Sequence, residues 1–280
     1  MKVLILGSNG NLAQAFARVY HDAQVVGWDR DELDITEESQ VLEKITALKP
    51  DLVINCAAYN AVDEAETDRK SAELLNGYAP GFIAKACKQL EITFVHYSTG
   101  QVFDGKKAEG YTEDALPDPV NAYGQSKLVG EMEVQNNMDK FYIIRTAWLF
   151  GNFAKNSVGN KKSFIDIMLK LADGEEPIKA IEDEFGTPTY VYDLAQASRA
   201  LVEEHKAFGI YHLVNSGMAS RLDWAREIFR IKNLNPDIFG VSSSQFERPA
   251  ARPKYELLKN TKFIELRPWS EALKEFLISN

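Results

Sequence analysis

"LILGSNGNLAQAF", Leu4–Phe16, decides how the chain is read. An apolar run stops at Gly7, and a helical pattern begins within a few residues. Gly7, Gly10 and Ala13 fall at G-x-x-G-x-x-A spacing. In a strand-to-helix turn, the first glycine permits a tight reversal and the second lets a pyrophosphate approach the backbone. A small third residue lets helix and strand pack closely. The free N–H groups of the helix then face the phosphates. An ordinary strand-to-helix turn accounts for the same three residues, so the neighbourhood has to decide. The second apolar run ends at Trp28-Asp29, about 20 residues on, where an acid holds the adenosine ribose. Arg30 follows, either to hold a 2′-phosphate or as a solvated surface charge. The pair leaves NADPH and NADH both open.

Outward from this turn, short apolar runs alternate with helical patterns. Val3–Leu6, Gln24–Trp28, Leu52–Ala58, Thr93–Ser98, Tyr142–Ala147 and Ile210–Asn215 read as strands. Leu12–His21, Glu37–Leu48, Asp68–Leu90 and Tyr123–Asn136 read as helices. Such alternation predicts an α/β fold, a Rossmann-type doubly wound parallel sheet with helices on both faces. The strands are apolar on both sides, as a covered parallel sheet requires. Past Ala147 the pattern is less regular. "NFAKNSVGNKKS", Asn152–Ser163, reads as a polar loop, and Ser216–Asn280 as helices with prolines and few strands. The expected division is a dinucleotide-binding domain of residues 1–147 with 178–215. Residues 148–177 with 216–280 form a smaller α/β substrate lobe over the carboxyl edge of the sheet, where open α/β sheets bind ligands.

Composition narrows the partners. The 280 residues are 45% hydrophobic and 26% charged, with a net charge of −9. An acidic surface repels phosphate backbones and argues against nucleic acid. No apolar run has the ~18 residues of a membrane span, and the N-terminus reads as a first strand rather than a signal peptide. Cys56 and Cys87 read as buried small hydrophobes, and His21, His96, His205 and His212 have no ligand spacing. No metal site is expected, and the acidic run Glu182-Asp183-Glu184 reads as a solvated loop. A reducing, cytoplasmic setting fits.

Two further stretches carry chemistry. "NAYGQSKLVGE" holds Tyr123 and Lys127, four apart and so on one face of a helix. An ammonium near a phenol favours the phenolate and lowers the tyrosine pKa, which suits an acid or base near neutral pH. The fourth strand ends at Ser98-Thr99. A hydroxyl there either caps a strand end or hydrogen-bonds the substrate oxygen that Tyr123 protonates.

Together these residues resemble the extended short-chain dehydrogenase/reductase family, and within it the dTDP-4-dehydrorhamnose reductase group. The resemblance runs the length of the chain. It is carried by the glycine turn, LDIT (Leu33–Thr36), NCAAYNAVDEAE (Asn55–Glu66), the stretch around Thr99 and YGQSKLVGE (Tyr123–Glu131). Further along, IIRTAWLFG (Ile143–Gly151), FGTPT (Phe185–Thr189), GIYHLVNSG (Gly209–Gly217) and ARP (Ala251–Pro253) continue it. The resemblance implies hydride transfer from NADPH or NADH to the C4 carbonyl of a dTDP-4-keto-6-deoxysugar. Tyr123 gives the proton, Lys127 holds the nicotinamide ribose, and Thr99 polarises the carbonyl. Gly7, Asn9, Gly10, Asn11, Leu12, Asp29 and Arg30 are expected on the cofactor, Asp34 and Ile35 near its adenine, and Ala57, Ala58, Tyr59 and Asn60 along it. Trp148 is expected either on the sugar ring or in the core. Arg248, Arg252 and Lys254 are expected either to hold the diphosphate or to form a solvated basic patch. A monomer or homodimer is expected.

The chain departs from the family pattern where it matters most. The family usually has S-T-D-Y-V-F; here Gly100-Gln101 replace the aspartate and tyrosine. That aspartate is expected to bond the sugar. Gly100 has no side chain to do so, and Gln101 can replace one polar contact. Asn60 replaces a usual threonine, and Lys254-Tyr255-Glu256 stand where a serine-containing run is usual. Two alternatives follow: a reductase of another nucleotide-linked keto sugar, or a cofactor-binding regulatory subunit without catalysis.

Overall fold

The computed structural model describes residues 1–151 and 163–279. The polar loop expected at Asn152–Ser163 lies outside them except for Ser163. Along β1 (Lys2–Leu6), Val3 and Ile5 enter one apolar layer while Leu4 and Leu6 enter another. A strand that is apolar on both sides needs cover on both sides. The helices supply it. Phe16 and Val19 of α1 (Asn11–Val19) close one face; Val41 and Ile45 of α2 (Glu38–Leu48) close the other. Each fully buried side chain of this size contributes about 1.5–3 kcal/mol.

The chain continues through β2 (Gln24–Trp28), β3 (Leu52–Asn55), α3 (Arg69–Ala72), a π-helical turn (Glu73–Tyr78), α4 (Ala79–Gln89), β4 (Thr93–Thr99), α5 (Ala122–Asn137) and β5 (Phe141–Thr146). Then come β6 (Leu149–Phe150), α6 (Phe164–Ala172), β7 (Ile178–Ile181), β8 (Phe185–Gly186), β9 (Thr189–Tyr190), α7 (Val191–Glu203) and β10 (Gly209–His212). The last elements are β11 (Ala219–Ser220), α8 (Arg221–Lys232), β12 (Ile238–Val241), β13 (Tyr255–Glu256) and α9 (Trp269–Ser279). Six strands form one parallel sheet in the order β2-β1-β3-β4-β5-β10. This is the Rossmann-type doubly wound fold. The chain leaves β1 for β2 on one side and returns to β3 on the other. The loops after β1 and β3 therefore part at a switch point, which opens a crevice at the carboxyl edge.

The other strands form smaller sheets. One has the order β11-β8-β13, and β7 pairs with β12, β6 with β9. The segment after Gly100 stitches β13 to the main body. Tyr255 N donates to Gly105 O (3.1 Å), Tyr111 N to Leu257 O (2.9 Å), and Lys259 N to Tyr111 O (2.8 Å).

Three elements differ from the expectation: β10 stops at His212 rather than Asn215, and the other two have a visible cause. The third strand stops at Asn55 rather than Ala58. Cys56 N makes the last bond to Leu6 O (2.9 Å), and the Asn55 side chain then takes Ala57 N (3.1 Å) and turns the chain away. The helix expected over Asp68–Leu90 contains the π turn. Pro80 has no N–H to give Asn76 O, so the ladder bond four residues back is missing and the turn widens.

Candidate active site

The crevice after β1 and β3 is a cavity of about 620 Å³. Gly7 forms its floor at φ +73, and a Cβ there would lie 2.7 Å from both Cα and N of Ala57. Both the left-handed backbone and the contact exclude a side chain. Gly10 N bonds Gly7 O (3.0 Å), and Gly10 caps α1 without offering a side-chain acceptor. The first turn of α1 thus presents backbone donors and a positive dipole end to the cavity. Asp29 accepts from Asn9 N (3.0 Å) and Arg30 N (2.8 Å). The Arg30 side chain is 85% exposed, 3.6 Å from Asp34. Hydrogen bonds from Thr36 hold Asp34 below its usual pKa, against the effect of burial.

Of the expected cofactor residues, Gly7, Gly10, Asp29, Arg30, Asp34 and Ile35 line one wall, and Ala57, Ala58, Tyr59 and Asn60 the other. Asn9 and Asn11 are exposed at the turn, and the Leu12 side chain is turned into the core. A surface that only glycine can line, beside a helix N-terminus and two acids, fits a dinucleotide.

The second cluster is built by the start of α5. The Asn121 side chain accepts from Gly124 N (2.7 Å) and donates to Gln101 Oε1 (3.0 Å) and Ala251 O (2.8 Å). A Cβ on Gly124 would lie 2.2 Å from Gln101 O. That close approach brings α5 against the end of β4, and Tyr123 faces the Thr99 side chain, which favours its ionised form against the effect of burial. Asn76, in the π turn, bonds Tyr59 through N (2.8 Å) and O (2.9 Å) and donates to Ser126 Oγ (3.0 Å). It thereby fixes the cavity wall to the helix that carries Tyr123 and Lys127. Tyr59 and Tyr123 pack on the same cluster of Ala65, Ala72 and Ala122. Nothing in the local sequence singles out Asn76.

The electrostatics differ from the expectation. Lys127 Nζ donates to Tyr97 O rather than to Tyr123. Burial raises the Tyr123 pKa to about 12, and the Glu256 carboxylate adds to the rise. Burial brings Lys127 down to about 8, with Glu131 working against the shift. Four-residue spacing places two side chains on one face, but it does not aim the ammonium at the phenol. Tyr123 is therefore protonated at neutral pH, as a proton donor must be.

The substrate side holds a group that the sequence reading missed. Glu256 is 6% exposed, between Trp148, Gln101 and Thr99. Trp148 Nε1 donates to Oε2 (3.1 Å), Gln101 Nε2 to Oε2 (3.5 Å), and Thr99 Oγ1 to Oε1 (3.5 Å). Burial raises its pKa to about 7, while the Trp148 bond and Arg221 pull the other way. Trp148 itself sits at φ +43 with the Arg221 guanidinium 3.6 Å from its ring centroid. A Cβ on Gly186 would lie 2.3 Å from Trp148 Cε2 and 2.7 Å from Cδ2 and Cζ2, the pattern of an atom over the ring face. Two groups cannot share a face at such distances, so the indole is held between Gly186 and Arg221. The apolar face expected for a sugar is covered in this arrangement, and the indole offers its N–H edge instead.

The arginines are committed elsewhere. Arg252 pairs with Asp63 (2.9 Å), and Arg248 with Glu184. The run Glu182-Asp183-Glu184 is tied down rather than freely solvated: Asp183 also accepts from Ser242 Oγ (2.7 Å) and Ser243 N (2.8 Å). Lys254 Nζ lies 5.4 Å from the Tyr255 ring centroid. Among the described residues, no group of His, Cys, Asp or Glu could hold a metal ion, and no helix is long and apolar enough to cross a membrane.

Comparison with known proteins gives the family. Residues 1–279 match the RmlD substrate binding domain model, and the chain belongs to that family. The dTDP-4-dehydrorhamnose reductase of Burkholderia thailandensis is 36% identical, over 98% of this chain and 97% of that one. The dTDP-4-keto-6-deoxy-D-glucose reductase of Streptomyces niveus is 34% identical, over 97% and 95%. Among solved structures, dTDP-4-dehydrorhamnose reductase from Bacillus anthracis, in complex with NADP, superposes with a TM-score of 0.93. It is 34% identical, over 100% of this chain and 99% of that chain.

Proposed function

We propose that this member of the RmlD family is an NAD(P)H-dependent oxidoreductase. Its reaction is reduction of the C4 carbonyl of a dTDP-4-keto-6-deoxysugar, with dTDP-4-dehydrorhamnose to dTDP-L-rhamnose as the leading case. The observation that carries the reading is that Tyr123 faces Thr99 at the carboxyl end of β4, in a chain whose β1 and β3 ends enclose a glycine-lined crevice. Names of relatives support it: a dTDP-4-dehydrorhamnose reductase, and a structure in complex with NADP.

The chemistry assigned to each residue follows from its place. A bound nicotinamide supplies the hydride. Thr99 holds the carbonyl oxygen, and Tyr123 gives that oxygen its phenolic proton as negative charge develops there. A phenol that titrates near 12 is a weak acid in the resting site, and its proton moves once the oxygen has become a stronger base. Lys127, one helical turn on and buried, supplies positive charge that offsets the phenolate left behind. Gly7, Gly10 and the start of α1 hold the phosphates, Asp29 and Arg30 the adenosine ribose, and Asp34 and Ile35 the adenine. The exposed Arg30 favours NADPH over NADH, because its guanidinium can pair with a 2′-phosphate. Trp148 completes the substrate side through its N–H edge, and Arg252 serves the diphosphate by exchanging its Asp63 partner for it. We read the protein as cytoplasmic, a monomer or homodimer; its two cysteines are unbonded, which fits a reducing compartment.

A second reading keeps the reaction and changes the sugar. Gly100-Gln101 motivates it, and the Streptomyces niveus relative is named for dTDP-4-keto-6-deoxy-D-glucose. The test measures NADPH and NADH oxidation with each keto sugar, for wild type and Tyr123→Phe. Turnover by wild type that the variant loses supports the reading. Cofactor binding without turnover on any dTDP-4-keto sugar would overturn it in favour of a non-catalytic role.

A further inference from the structure

The family's usual aspartate after Thr99 is missing from this chain, yet the space beside Thr99 is not empty. A Cβ built on Gly100 would lie 2.8 Å from Glu256 Cγ and 3.4 Å from Glu256 Oε1. The Glu256 side chain thus occupies the volume that any side chain at position 100 would need. It also comes from the stretch where the family usually carries a serine-containing run. The two departures noted in the sequence, more than 150 residues apart in the chain, therefore meet at one point in space.

We infer that Glu256 is a substrate-binding, specificity-determining residue: its carboxylate takes over the sugar-hydroxyl contact of the missing aspartate, from the opposite wall of the site. Three features carry this. First, position: β13 runs parallel to β8 with Glu256 opposite Gly186, and Tyr255 N is pinned to Gly105 O (3.1 Å). The backbone thus aims the side chain over Gly100. Second, its bonds are exchangeable. The two at 3.5 Å, from Thr99 and Gln101, lie at the long end of hydrogen bonding and are readily replaced by a ligand hydroxyl. When Thr99 turns its hydroxyl to a carbonyl oxygen, Glu256 Oε1 is left with an acceptor position facing the same ligand. Third, among the described residues no ion pair neutralises it: Arg252 is paired with Asp63 and Arg248 with Glu184, and Arg221, stacked on the Trp148 ring, offsets the effect of burial only in part. A buried carboxylate kept without an ion pair is costly for folding, and in a cleft such a group points to function.

This inference rests on the reductase reading, and an exchange experiment separates the two. Kinetics with dTDP-4-dehydrorhamnose and dTDP-4-keto-6-deoxyglucose would be measured for wild type, Gly100→Asp, Glu256→Ser, the double variant and Glu256→Gln. Glu256→Ser and Glu256→Gln should each raise KM about 10–100-fold, the worth of one hydrogen bond to a charged group. Gly100→Asp alone should be as poor, since its side chain meets Glu256. The double variant, with the carboxylate moved to position 100, should recover to within about threefold of wild type on at least one sugar, far above the product of the single losses. A packing defect would not be rescued by moving the charge. Melting curves identify a variant that has not folded; Glu256→Gln, which keeps the shape, then carries the test alone. Wild-type KM values in Glu256→Gln, or additive losses in a folded double variant, overturn the inference and leave the reductase reading standing. A wild type that reduces neither sugar sinks both.

Discussion

Replacing Glu256 by Gln should change how stability depends on pH. Gln keeps an oxygen to accept from Trp148 Nε1 and removes only the charge. In the folded chain the Glu256 carboxyl titrates at about 7, against an ordinary 4.5, because burial disfavours its ionised form. At about 1.4 kcal/mol per tenfold change in proton affinity, ionising it in place costs about 3 kcal/mol. The sign follows from proton counting. Between about pH 4.5 and 7 the folded state holds a proton that the unfolded chain has released. The contribution of Glu256 is therefore fully present below pH 4.5 and is lost as pH rises through 7. The variant has no such loss. Thermal unfolding of both proteins at pH 5 and pH 9 should show Glu256→Gln gaining on wild type by about 3 kcal/mol, or roughly 6–9 °C in Tm for a chain of this size. Other titrating groups cancel in the comparison. A Tm gap between the two proteins that stays constant across this range would refute the raised titration of the buried carboxyl.

The remaining expectations concern the frame around the site. Gly7→Ala puts a side chain at φ +73 and within 2.7 Å of the Ala57 backbone. It should cost more than the ~1–2 kcal/mol of a left-handed alanine and weaken NADPH binding, both read by thermal shift with and without cofactor. Arg145→Met strands the Glu131 carboxylate, which now takes 2.6 and 2.8 Å bonds from Arg145 and one from Ser98 Oγ, all fully buried. Urea unfolding should show a loss of about 3–5 kcal/mol, most of it regained when Glu131→Leu removes the orphaned charge.

Much of this protein was legible before any coordinates. The switch from continuous apolar runs to helical patterns, repeated along the chain, points to a covered parallel sheet, since a strand apolar on both faces needs cover on both. The G-x-x-G-x-x-A turn is local: the φ of Gly7 follows from the reversal after β1, so local sequence was enough to find it, while its contact with Ala57 comes from the pairing of β1 with β3. The same holds for Asp29 at the end of β2. Tyr123 and Lys127 were visible through their spacing on one helix.

What lay outside the sequence's reach was direction and distance across the chain. Helical spacing could not say that Lys127 would reach Tyr97 O instead of the phenol, because that depends on how deeply α5 sits against β4. It could not reveal Asn76, whose role arises from a missing ladder bond and the approach of α5. Nor could it show Arg221 stacked on Trp148. Above all, the sequence presented Gly100 as a lost carboxylate and Glu256 as drift. Only the pairing of β13 with β8 brings the two within van der Waals contact, because side chains that share a site through tertiary packing leave no periodicity in the chain that carries them.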